Sequence, residues 1–260
     1  MATEPTLFVV NVDTRGLLVH VWVNDITVYT NAGVQATFAE KINPLVVPQA
    51  NTVAVSLALA PPAPAKDGAP ASGEPRFRIT VQRGTRGTDP GEAGILLRYG
   101  WPPGQAPLAA LPAEVFRGAF DGGLDQPQPG WLALPPVQAA NAELEGFVLR
   151  FADYLRMRDV DRLLALYSFK FRTLASAFDL DAAQMASSFR AQLRRRMDDP
   201  AWTVTPVDTS RLRYTPEAGM RLVRITSASG GPPVMTRGAA GDMPFSLTVA
   251  REAGALQVFR

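Results

Sequence analysis

Apolar and polar positions alternate with a period of two through most of the first half of the chain, and the second half opens with a period near 3.6. The first half therefore predicts strands. Leu7 to Val12 is a mostly apolar run, and Leu17 to Val23 follows the turn Asp13-Thr14-Arg15-Gly16. Asn24-Asp25 makes a second turn before Ile26 to Tyr29, and Asn31-Ala32-Gly33 a third before Gln35 to Ile42. Val53, Val55, Leu57 and Leu59 fall on one face of the next strand, with Ala54, Ser56 and Ala58 on the other.

Residues 60–75, APPAPAKDGAPASGEP, have no composition for a core and predict a Pro/Ala-rich loop inside the domain. Strand patterning resumes with Phe77, Ile79 and Val81, then with Gly94 to Trp101 and Leu108 to Phe116. About seven or eight short strands at this spacing predict an all-β sandwich or jelly roll over residues 1–117. Residues 118–136, rich in Gly and Pro and closed by Pro135-Pro136, predict a linker.

Beyond it, Leu144, Phe147, Val148, Phe151 and Leu155 lie at i, i+3, i+4, i+7 and i+11, one face of a helix. Asp159 is placed to cap a second helix with the stripe Val160, Leu163, Leu164, Tyr167 and Phe171. Asp181 with Gln184 resembles a capping box for a third, whose apolar positions Met185, Phe189, Leu193 and Met197 are four apart. Strands are expected at 202–205, 211–214, 220–227, 244–251 and 256–260. Helices followed by strands predict an α+β domain over residues 137–260, and an α+β class overall.

Composition narrows the chemistry. With 47% hydrophobic and 19% charged residues, there is enough apolar material for two cores. No cysteine is present, so disulfides, thiolate catalysis and Cys-ligated metals are excluded. The N-terminal sequence does not read as a signal peptide and no run reaches membrane-span length, so a cytoplasmic location is expected. Residues 1–136 carry 9 Lys+Arg against 11 Asp+Glu, and residues 137–260 carry 17 against 13. That balance is too even for a nucleic-acid-binding domain.

The stretch FADYLRMRDVDRLLALYSFKF, residues 151–171, together with the order of elements, resembles the NTF2-like (SnoaL-type) superfamily, whose second helix often has the form D-φ-D-x-φ-φ-x-φ-Y. Here those positions are Asp159, Val160, Asp161, Leu163, Leu164, Leu166 and Tyr167. The resemblance implies three helices on one curved antiparallel sheet wrapped into a cone, a ligand pocket at its mouth, and a homodimer through the sheet. Catalytic members place an Asp/His or Asp/Tyr pair in the cone, and the only histidine, His20, lies in the other half of the chain. Residues 42–57, INPLVVPQANTVAVSL, vaguely resemble a segment of galactose-binding-like jelly rolls, although a turn asparagine such as Asn51 also has a purely structural reading.

Asp153, Tyr154 and Tyr167 are the candidate ligand-binding residues, because a carboxylate and a phenol in a cone form an acid/base pair for a small carbonyl compound. Helical spacing gives the plainer reading, with Tyr167 in the core and Asp153 in solvent. A lone His20 does not make a metal site, and no catalytic constellation or cofactor motif is found. Arg190, Arg194, Arg195 and Arg196 form one basic cluster near a helix end, which suits either an acidic partner or the helix dipole. The expected role is non-catalytic binding of a protein partner or small molecule, of bacterial type. The alternatives are an isomerase- or cyclase-type enzyme in the cone, or carbohydrate recognition through Trp22, Tyr29 or Trp101.

Overall fold

The computed structural model describes residues 6–60, 74–85, 91–102, 116–124 and 126–260. Most of the Pro/Ala-rich stretch at 60–75 and of the strand expected at 108–116 lies outside them. Contacts divide the chain into two units, residues 1–128 and 129–260.

The N-terminal unit holds β1 (Thr6–Arg15), β2 (Leu17–Val23), β3 (Ile26–Ala32), β4 (Ala36–Lys41), β5 (Ala50–Leu59), β6 (Arg76–Thr85), β7 (Ile95–Trp101) and β8 (Phe116–Asp121). They form two four-stranded antiparallel sheets, ordered β4-β1-β6-β7 and β3-β2-β5-β8. The period of two sets which side chains go inside: Phe8, Val10 and Val12 of β1 are buried, as are Phe77, Ile79 and Val81 opposite on β6. In the other sheet Val19, Val21 and Val23 of β2 are buried beside Val53 and Val55 of β5. The buried faces meet, with ring contacts from one sheet to the other at Phe8–Phe120 (6.1 Å), Tyr29–Phe38 (4.7 Å) and Tyr99–Phe116 (3.8 Å). Gly16 has φ +65° where the chain passes from β1 in one sheet to β2 in the other, a conformation glycine adopts without strain. The β2–β3 hairpin turns on Asn24 and Asp25, both at positive φ (51° and 61°), as a type I′ turn requires.

Between β4 and β5 the irregular segment is clamped by two buried amides. Asn43 accepts from Phe8 N at 2.9 Å and donates to the Thr6 carbonyl at 2.7 Å. Asn51 accepts from Val47 N (2.7 Å) and from the Asn24 side chain (2.8 Å), and donates to the Val47 and Gln49 carbonyls (2.9 and 3.0 Å). Asn51 is thus a structural bracket for backbone groups that have no sheet partner.

The C-terminal unit opens with α1 (Asn141–Arg156), α2 (Val160–Leu166), α3 (Ser168–Phe178) and α4 (Ala182–Met197). All five stripe residues of α1, from Leu144 to Leu155, are buried. The Asp159 carboxylate accepts from Arg162 N at 3.0 Å and caps α2. Asp181 accepts from Ala183 N and Gln184 N, at 2.7 and 3.1 Å, and caps α4. The helix expected from Asp159 through Phe171 is broken at Tyr167, whose φ −93° and ψ 0° end α2 and begin α3. The strands are β9 (Thr203–Val204), β10 (Arg213–Glu217), β11 (Leu222–Thr226), β12 (Val234–Arg237), β13 (Met243–Phe245), β14 (Leu247–Glu252) and β15 (Ala255–Val258).

These strands correct the expected fold class. The cone required three helices on one curved sheet, whereas this unit has four helices and two separate sheets, ordered β10-β11-β14-β15 and β13-β12-β9. The physical cause is β12, which pairs with β13 on one side and β9 on the other and so draws both out of the larger sheet. With fifteen strands in four antiparallel sheets and α-helices only after residue 140, the described chain is mostly β rather than α+β overall, and its C-terminal unit is not three helices on one curved sheet. There is no cysteine and hence no disulfide. Among the described residues no helix is long and apolar enough to cross a membrane.

Candidate functional site

Helix α4 carries apolar side chains four residues apart, but only half of them are covered. Leu193 and Met197, in its C-terminal half, are buried in the core of this unit; Met185 and Phe189, in its N-terminal half, are only partly buried. They border an open groove of about 560 Å³ between α3 and α4. The reversal of direction that creates the two walls is made by Asp179, at φ +50°, and by the Asp181 cap that starts α4.

The floor of the groove is aromatic. The Tyr167 ring lies 4.9 Å from that of Phe189 and 5.9 Å from that of Phe171, and the Phe171 and Phe189 rings are 5.7 Å apart. These spacings are those of favourable offset and edge contacts. Leu174, Leu180 and Met185 extend the apolar surface, and Leu180 is 45% exposed. Polar groups stand around it: Asp181, Gln184, Ser188 and Gln192, with the Lys170 ammonium 5.5 Å from the centre of the Tyr167 ring. Burial pushes the Tyr167 phenol well above the ordinary tyrosine range, so it stays protonated and neutral at physiological pH.

A second hollow of about 300 Å³ lies farther along α4, and Gln192 borders both. Its other walls are Arg195, Arg196, Asp199, Trp202 and the loop Gly238, Ala240 and Gly241. Asp199 shapes this hollow by accepting from Ala201 N and Ala239 N, at 2.9 and 2.5 Å. Trp202 is held by a bond from its indole N–H to the Leu155 carbonyl at 3.3 Å.

The structure does not bring the three predicted ligand-binding residues together. Tyr167 lies in the floor of the groove, 5% exposed. Asp153 projects from α1 and pairs with Arg156 at 2.5 Å, one helical turn away. Tyr154 is partly buried beneath the Arg162 guanidinium, 5.7 Å from its ring centre. Neither lines the groove. In the N-terminal unit His20 stacks on Trp22 at 3.8 Å and places Nε2 3.1 Å from the Thr27 hydroxyl. Trp101 is 5% exposed, which leaves no ring face for stacking a sugar. Among the described residues no group of three His, Asp or Glu side chains could hold a metal ion.

Sequence reasoning missed the groove although half of it was in view. Met185 and Phe189 are visible as apolar positions on α4, but periodicity reports a common face and not whether anything covers it. No family model, no curated protein and no solved structure matches this chain.

Proposed function

We propose that this chain is a non-catalytic protein-interaction protein that captures an amphipathic helical segment of a partner in the groove between α3 and α4. The observation that carries this reading is the half-covered Met185–Phe189 surface over an aromatic floor. Apolar helix faces in globular units are ordinarily packed, and one left open to solvent with a polar border marks an interaction site. Helix-in-groove recognition uses this combination: aromatic rings for area, and methionine for a surface that adapts to its ligand. Along α4 the groove runs from Gln184 to Gln192, a wall of roughly 12 Å, about two turns of a docked helix. A sugar or a small polar metabolite would find few hydrogen-bonding partners on this floor.

The test is photochemical capture. A benzophenone-bearing amino acid at Ser188, on the groove wall, should cross-link a discrete partner in native lysate. The cross-linked segment should show apolar residues at i, i+3 or i+4 and i+7. Adding Met185→Asp should lower the yield by about 30-fold, the scale expected when one central apolar anchor is lost. A yield unaffected by Met185→Asp, or segments without helical patterning, would remove the proposal.

A further inference from the structure

Resting on that groove, we infer that the docked segment carries acidic residues at one end, held by Arg195 and Arg196 in the hollow beyond Gln192. The two hollows follow one face of α4. Gln184, Met185, Ser188, Phe189 and Gln192 border the first, and Gln192, Arg195, Arg196 and Asp199 the second, at successive spacings of three and four residues. A helix lying along α4 over the apolar part therefore reaches the arginines at the helix's C-terminal end.

Among the side chains that line this hollow, two guanidinium groups stand against one carboxylate. Arg190 is committed to Asp161 at 2.5 Å, and so contributes little. The Asp199 carboxylate is engaged by two backbone N–H groups, and the end of the α4 dipole adds about half a negative charge. Two guanidinium groups outweigh both. Arg196 also donates to the Gly241 carbonyl at 3.5 Å, a long bond that leaves further donors on the planar group. Trp202, 7% exposed, supplies an apolar part of the wall beside them. Guanidinium pairs in such surroundings bind carboxylates through two parallel N–H donors, which a docked Glu or Asp side chain can accept.

The occupant is thus an acidic and apolar peptide segment. A selection from displayed random 16-residue segments, the length of α4, on the immobilised full chain provides the probe. The enriched segments should place Asp or Glu at one end of an apolar helical stripe. Replacing those acids with amides should weaken binding to the native chain about tenfold. The same replacement should make no difference on the Arg195→Gln/Arg196→Gln double variant, and the acidic advantage should shrink as salt is raised. An acidic advantage of equal size on the double variant, or none on the native chain, overturns the inference while leaving the groove intact. Segments whose binding is unchanged by Phe189→Asp, or the absence of enriched segments, overturn the groove itself and the inference with it.

Discussion

Replacing Phe151 with alanine is expected to destabilise the C-terminal unit by about 3–5 kcal/mol, the range for deleting a fully buried aromatic side chain. Phe151 is 0% exposed and stands where the α1 stripe meets both the other helices and the smaller sheet. Its ring lies 5.9 Å from Tyr167 at the α2–α3 break and 5.4 Å, edge-on, from Phe245 of β13. Deletion leaves a cavity bordered by elements that are each held from several sides, so little collapse can offset it. Calorimetry of the full chain should show the transition of this unit lowered by on the order of 10 °C, with that of the N-terminal unit unmoved. Phe151→Leu, which keeps most of the volume, should cost less than half as much. Because Phe151 supports Tyr167 from behind, the alanine variant should also loosen the floor of the groove.

Asn51→Ala should destabilise the N-terminal unit by about 2–4 kcal/mol, although it removes only an amide. The cost comes from what is left behind. Val47 N and the Asn24 side chain lose an acceptor, while the Val47 and Gln49 carbonyls lose a donor, at a residue that is 0% exposed. Water has poor access to the vacated space, because Gly122 packs against it so closely that an added Cβ would lie 2.2 Å from the Val47 oxygen and 2.9 Å from the Asn51 amide nitrogen. Asn51→Asp should also destabilise, because it keeps the two acceptor roles and loses the donor to the Val47 carbonyl, whereas the Gln49 carbonyl still accepts from Gly122 N. Chemical denaturation followed through this unit should show both variants shifted to lower midpoint, with the alanine variant lower than a control such as Thr52→Ala, whose side chain is exposed.

The α1 stripe and strands β1 to β7 were legible in the sequence because one periodicity dominates each, whereas β8 (Phe116–Asp121) falls mostly in the Gly/Pro-rich stretch expected to be a linker. Three further features were not legible. Tyr167 belongs to the apolar stripe that runs from Val160 to Phe171, and nothing in that spacing signals the change of backbone angles found there, where its ring packs against Phe151 and Phe189. The four residues of β12, between Pro232-Pro233 and Gly238, are too few to show alternation, yet their pairing with β9 and β13 is what replaces one curved sheet by two. The candidate site was half legible: Tyr167 was singled out, but with Asp153 and Tyr154 on α1 in place of Lys170, Met185 and Phe189. Which faces of helices meet is a long-range property, and one helix's pattern does not carry it. The basic cluster was visible as charge; its position along the same face as Phe189 emerged only once α4 had definite ends.

The central claim is that partner recognition occurs along α4, and hydrogen exchange of the full chain with and without a captured segment tests it most directly. Binding in the groove predicts slowed exchange in α3 and α4, from about Tyr167 to Arg196, with the strands of the N-terminal unit unchanged. Slowed exchange confined to those strands, with α3 and α4 unaffected, would contradict it.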